Sequence, residues 1–385
     1  MLKSKVGYSI NADPYQAGIE TAKMATDGMK GKFAFVFNSA GYDQVEFIKG
    51  IKKASPKLSF VGCTSFDAII VPDGVITSEN GFAGMLAFDG DITVSTAAAA
   101  KSDDARKTGA KVAMDAMKAS KKRNKPDYFF MSANPAEEEE YLKGIQDVIG
   151  RVPFFGGSAA DNDLSGKWKV FHQDGITDNG VAVAFFYTDK EVVTTYTGAY
   201  RETTDVGVIT KVSGNRVLEE IDKVKAVEKY ASWRKMDTKD LMGGALLTAT
   251  ITSPLGVKDR LGDLTVIRHP MGGNEDLSMN IGNKLAVGTA IVRMEATVDE
   301  LVDSTKSTLN ETKEKLNNPA AYMLIHCGGR KIGIGNRINE VHANLKEIAG
   351  DVPFITAFTF GEYGYGDDQA NACGGLMLSF TGFEK

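Results

Sequence analysis

The chain has 385 residues, 43% hydrophobic and 25% charged, and its 45 basic and 50 acidic residues leave a net charge of −5. That composition suits a globular protein of about two or three domains and excludes disordered, fibrous and disulfide-stapled classes. The acidic balance offers no bulk attraction for nucleic acid or an anionic membrane surface, and neither is expected as a partner. Three cysteines, Cys63, Cys327 and Cys373, form an odd set without C-x-x-C spacing. This argues against a disulfide framework and a structural zinc site, and suits a reducing compartment. The N-terminus carries no apolar run of signal-peptide length. The longest apolar stretches, such as Val181–Tyr187, are one strand long, whereas a membrane span needs about 20 residues. A cytoplasmic protein is expected.

In chain order, short apolar runs bounded by turn residues read as strands at Phe33–Phe37, Leu58–Val61, Tyr128–Met131 and Phe154–Phe155. They belong to a repeat. Phe47–Asp67 laid over Tyr141–Asp161, an offset of 94, gives six identities in 21 positions: Lys49/Lys143, Gly50/Gly144, Ile51/Ile145, Phe60/Phe154, Gly62/Gly156 and Asp67/Asp161. Each copy reads strand, helix, strand, then return strands. A third, weaker copy runs through Tyr322–Ile325, Ile338–Ile348 and Pro353–Phe360. After the first two copies, Phe82–Phe88 precedes Ile92–Thr96, and Val181–Tyr187 precedes Val192–Thr197. Asp89-Gly90-Asp91 and Thr188-Asp189-Lys190 read as hairpin turns between them.

A helical pattern from Asp103 to Ser120 ends at Lys121-Lys122-Arg123, cations that suit a helix C-terminus. Asn134 as N-cap and Pro135 at the first helical position place Glu137–Glu140 in a solvated, acidic first turn. From Val217 to Lys239, Val217, Ile221, Val224, Val227, Tyr230 and Ala231 fall on one helical face. The expected fold is α/β, with mixed β-sheets and flanking helices. Duplicated strand–helix–strand units at about 32–100 and 126–199 form a region 1–224, followed by a second region 225–385.

The sequence has no P-loop, H-E-x-x-H, EF-hand or G-x-S-x-G pattern. His172, His269, His326 and His342 lack metal-ligand spacing, and the adjacent His326-Cys327 would point to opposite faces of a strand. No metal is expected. Three segments hold unusual chemistry: Val266–Pro270, His326–Arg330 and Phe358–Gly364. Each places polar residues or glycine at the end of an apolar strand, where α/β sheets bind ligands. Gly328 and Gly361 would admit a ligand close to the backbone. Arg268 and Arg330 could converge on one carboxylate, with Glu362 steadying Arg330 or accepting a ligand amine. Arg330 and Glu362 also read as an ion pair across strands, and Cys327 as an inert buried thiol.

The ordered set of motifs resembles the FIST proteins. It runs through Ser9, Asp13-Pro14, Ala17-Gly18, Phe37 and Tyr42-Asp43, then Gly62-Cys63-Thr64-Ser65 and Gly156–Asp161. It continues with Arg268 and Pro270, Val287-Gly288-Thr289, Cys327-Gly328-Gly329-Arg330 and Gly361-Glu362, covering about residues 6 to 380. Departures occur at Phe66-Asp67-Ala68, where the family commonly has alanine, glycine and glutamate, at His326 (commonly serine) and at His269 (commonly asparagine). The resemblance implies a FIST N-terminal and a FIST C-terminal region. It implies a non-catalytic sensory module for a small ligand such as an amino acid or other small carboxylate, with Arg268, Cys327, Gly328, Arg330, Gly361 and Glu362 as ligand-binding residues. Relatives are fused to output domains, so this chain would signal through a separate protein such as a histidine kinase, cyclase or chemotaxis component. One branch, the NosP type, binds haem to sense nitric oxide; here haem would fall to His326 or His269. A third reading makes Cys327 the nucleophile of an enzyme, although His326, its sequence neighbour, would face away.

Overall fold

Phe33, Phe35 and Phe37 alternate with Ala34 and Val36, and every residue of the strand Phe33–Asn38 is buried. A strand apolar on both faces belongs inside a covered parallel pair. It pairs in parallel with Ser59–Thr64, and the helix Gln44–Ala54 makes the crossover. The same unit recurs as Tyr128–Ala133, Glu138–Ile149 and Phe154–Ser158. It recurs again as Pro319–Cys327, the helices Gly328–Ile334 and Ile338–Ala349, and Phe354–Thr359. The computed structural model describes residues 1–258, 265–366 and 371–385.

Each parallel pair lies in the middle of a six-stranded sheet, and the three sheets share one strand order. An opening strand (Lys3–Ser9, Thr93–Ala100 or Val192–Thr197) flanks a return strand (Ala83–Asp89, Gly180–Tyr187 or Leu378–Glu384), which flanks the pair. The last two places are filled from another unit. Ile69–Val71 and Gly74–Ile76 of the first unit extend the third sheet. Val170–His172 and Gly175–Thr177 of the second extend the first sheet, and Glu362–Tyr365 and Asn371–Gly374 of the third extend the second. The exchange is cyclic and protects the edge strand of each pair.

It also corrects the hairpin expectation. The turns at Asp89–Asp91 and Thr188–Lys190 carry the chain from one sheet to the next. Ala83–Asp89 pairs with Lys3–Ser9 and Phe33–Asn38, whereas Thr93–Ala100 pairs with Gly180–Tyr187. Val192–Thr197 pairs with Leu378–Glu384. Both return strands are buried almost throughout, so each takes two partners inside a sheet.

Phe35, Phe130 and Phe383 bring the three sheets together, with ring centroids 5.1 Å apart for Phe35–Phe130 and 6.0 Å for Phe35–Phe383. Outside, glycines set the helix crossings. A Cβ on Gly50 would sit 2.1 Å from the Tyr15 carbonyl oxygen, and one on Gly144 1.9 Å from that of Arg106. Pro14–Thr26 thus touches Gln44–Ala54 backbone to backbone, as Ala105–Ser120 touches Glu138–Ile149. Among the described residues, no helix is long and apolar enough to cross a membrane.

The third unit carries an insertion, 201–295, with its own core of Leu218, Tyr230, Leu246 and Ile291. Here the helical expectation for Val217–Lys239 is corrected. Val217–Ile221 is a strand between Arg201–Ser213 and Met279–Ile281, and the helix spans only Ala226–Arg234. Asp222 and Lys223, at φ 51° and 64°, make the turn that separates them. A second helix start also moves. Asn134 accepts a hydrogen bond from the Gly180 N–H at 2.8 Å, and the helix begins at Glu138.

Candidate functional site

The carboxyl ends of the three central strands meet in a hub. Phe66 N–H donates to the Phe358 carbonyl at 2.9 Å, Ala160 N–H to Thr64 at 2.9 Å and Phe360 N–H to Ser158 at 3.2 Å. The insertion lies over this hub and leaves a cavity of about 210 Å³. The hub side supplies Phe66, Leu164, Cys327, Gly329, Ile332 and Phe360. The insertion supplies Leu247, His269, Met271, Gly282 and Asn283. Among the described residues, no lysine or arginine lines the cavity. Among the same residues Asp163 is the lining carboxylate, and Lys167 stands 3.5 Å from it.

The sequence candidates divide sharply at this cavity. Cys327 and His269 line it; Arg268, His326, Gly328, Arg330, Gly361 and Glu362 do not. Arg330 is fully buried. Its Nη2 donates to the Leu301 carbonyl at 2.9 Å and to Ser304 Oγ, and its Nη1 to the Leu376 carbonyl at 3.4 Å. Arg268 donates to the carbonyls of Lys284, Ile267 and Cys373. Among the described residues the two guanidiniums share no partner, and neither lines the cavity, where the expected ligand carboxylate would lie between them.

Nor do Arg330 and Glu362 make an ion pair among the described residues. Glu362 Oε1 accepts from Thr359 Oγ1 at 3.1 Å and Oε2 from the Met377 N–H at 3.0 Å. Burial pushes its carboxyl up to about 8. Gly328 backs the hub wall, where a Cβ would meet Phe66 at 3.3 Å. Gly361 lies against Ser158, whose Oγ would be 2.8 Å from a Cβ there.

His326 and Cys327 take opposite sides of their strand, as the spacing requires. The His326 ring packs edge-on to Phe358 at 5.1 Å, and its Nδ1–H donates to the Cys327 carbonyl at 3.0 Å. His269 Nε2 lies 3.2 Å from the Leu247 carbonyl, so Nε2 carries the proton and Nδ1 the lone pair. Burial holds His326 down to about 3 and His269 to about 4, and both are neutral.

These placements do not fit a haem. His269 donates Nε2–H to a carbonyl, which leaves Nδ1 as its ligand atom, but the cavity it lines is too small for the macrocycle. His326 has a free Nε2, but that atom is sealed in the core, away from the cavity. The cavity is also below the roughly 300–1,000 Å³ usual for drug-sized ligands, at about 210 Å³.

Two features escaped the sequence reading. Asn283 is 2% exposed, lines the cavity and makes no side-chain hydrogen bond among the described residues. Its Oδ1 would lie 3.7 Å from a Cβ on Gly375, another lining residue. The strand-end rule that singled out Cys327 applies equally here, because Asn283 closely follows the strand Met279–Ile281. The second feature overturns the solvated reading of Glu137–Glu140. Arg216 Nη2 contacts Glu138 at 2.9 Å and Glu139 at 2.6 Å, and Lys284 Nζ contacts Glu140 at 2.6 Å. Glu138 is 2% exposed, and burial with the neighbouring Glu139 charge pushes its carboxyl up to about 7. This clamp holds the insertion on either side of Asn283, because Arg216 also donates to the Gly282 carbonyl.

The FIST N domain matches residues 32–223 and the FIST C domain residues 226–365. No curated protein matches the sequence. Among solved structures, a cyanuric acid hydrolase from A. caulinodans is 10% identical at a TM-score of 0.32, with all of both chains covered. PurLQS from Thermotoga maritima is 9% identical at 0.26, covering 99% of this chain and 72% of that one. Likenesses at these scores carry no argument.

Proposed function

Because the chain belongs to the FIST family, whose domains are sensory modules of signal transduction, we propose that it senses a small uncharged molecule bound between hub and insertion. The observation that carries this reading is the cavity lining. Its walls are largely apolar, with Phe66, Leu247, Met271, Ile332 and Phe360 prominent, and Asn283 and His269 on the insertion side, with Asn162 and Asp163 on the hub side, are polar groups that can orient a ligand. A free carboxylate entering there would lose its hydration with no cation among the described lining residues to receive it. The reading therefore departs from the small carboxylate expected from Arg268 and Arg330.

In this proposal residues 1–224 and 225–385 act together as the FIST N-terminal and C-terminal regions in the cytoplasm. Occupancy at Asn283 bears on the neighbouring Arg216 and Lys284 clamp, and a separate protein such as a histidine kinase, cyclase or chemotaxis component reads the insertion. A thermal-shift screen of neutral metabolites, amino acids and carboxylates tests the ligand class. A ligand at 100 times its Kd stabilises by about 2.7 kcal/mol. Ile332, 45% exposed, is the plug position. Neutral ligands should raise the Tm of wild type and leave Ile332→Trp unmoved. Stabilisation by carboxylates alone, or equal shifts in both proteins, would overturn the reading.

A further inference from the structure

Among the described lining residues, Cys327 is the one with a thiol or hydroxyl side chain. It ends the strand Pro319–Cys327 in register with Thr359, and Thr359 holds the Glu362 carboxyl by a hydrogen bond. The space before its sulfur is kept open by Gly329. A Cβ at that position would stand 3.5 Å from both Cys327 Sγ and His269 Cε1. The N–H groups of Gly329, Arg330 and Leu376 lie against the sulfur. Arg330, fully buried and held among the described residues by carbonyl and hydroxyl oxygens, adds a cation near it. Across the cavity wall, the buried Asn283 side chain is without a partner among the described residues.

We infer that Cys327 is a covalent capture site, whose thiol adds reversibly to the carbonyl carbon of a small neutral aldehyde held in the cavity. The inference rests on the proposed ligand site and names the ligand's chemistry. In the addition the Sγ–C bond forms and the carbonyl π bond opens. The ionised fraction of Glu362 takes the thiol proton, the new alkoxide takes a proton from water entering with the ligand, and Glu362 returns its proton to solvent. The product is a hemithioacetal, with nothing oxidised or reduced. The Asn283 amide N–H is the donor for the carbonyl oxygen as charge develops there. Burial beside Glu362 pushes the resting thiol well above its ordinary range and keeps it protonated. Cys63 and Cys373 are also buried and protonated, and neither lines the cavity.

The test labels full-length protein with acrylamide, a neutral amide whose β-carbon takes the sulfur and whose α-carbon takes the proton. Iodoacetate serves as the anionic comparison, and each cysteine peptide is quantified by mass spectrometry. Acrylamide should modify Cys327 at least tenfold faster than Cys63 or Cys373, and iodoacetate should not share that preference. Excess propanal should protect Cys327 saturably, and Asn283→Leu and Glu362→Gln should each slow its labelling at least tenfold. Labelling of Cys327 no faster than of Cys373, or no protection by propanal, overturns the inference. Propanal protection of wild type decides alone if a variant does not fold. A ligand that stabilises wild type and Cys327→Ser equally leaves the cavity reading standing and removes only the covalent step.

Discussion

The three repeated units meet through the rings of Phe35, Phe130 and Phe383, whereas the insertion meets them partly through charge. A smaller apolar cluster, Ile267, Val292 and Met294 with Leu376 and Met377, also joins the insertion to the hub. Beside it, however, stand Arg216 and Lys284 on Glu138, Glu139 and Glu140. Close-packed rings have one good arrangement and no response to pH. A clamp built around a buried carboxyl near neutrality has two charge states. The difference assigns stability to the ring of units and adjustability to the contact that borders the cavity.

Breaking the ring should have the largest effect. Phe35 is fully buried among rings from all three sheets. Phe35→Ala should cost about 3–5 kcal/mol, seen as a lower midpoint for the whole chain in chemical denaturation. A loss below about 1 kcal/mol would show that the three units are not held at this point.

The clamp should instead respond to pH. Glu138 is an acid whose folded pKa is raised from 4.5 to about 7. The folded state therefore keeps its proton to higher pH than the unfolded chain does. Its contribution is complete below about 4.5, falls between there and about 7, and is level above. The fall is about 3 kcal/mol at 1.36 kcal/mol per pKa unit. Glu138→Gln should remove much of this decline between denaturation midpoints at pH 5 and pH 8, gaining on wild type at the higher pH. Glu362, raised by burial to about 8, contributes a decline of the same sign that this variant leaves in place. An unchanged slope in Glu138→Gln would mean that the carboxyl is not desolvated.

The repeated unit was legible because its constraints are local. Gly50 and Gly144 are required where helices touch, and they stand among the six identities. The sheet exchange left little trace. A strand's residues state which faces are buried, not which strand lies alongside, and the exchanged strands Ile69–Val71 and Val170–His172 are three residues each. Within the site, the strand-end rule found Cys327 and His269 and would have found Asn283. It could not tell an arginine open to a ligand from Arg330, whose partners Leu301, Ser304 and Leu376 come from distant sequence. Glu138 read as solvated because its helix start looked ordinary, while the residue that buries it, Arg216, lies 78 positions away.

The smallest change bears on the central claim. Asn283→Leu removes one amide from the cavity and leaves the ring and the clamp as they are. Calorimetric titration with the neutral ligand that stabilises wild type should show affinity reduced about 10- to 100-fold, roughly 1.4–3 kcal/mol for one buried hydrogen bond left unmade, with the unliganded Tm retained. Unchanged affinity in Asn283→Leu would contradict the account and place the sensory site away from the interface between hub and insertion.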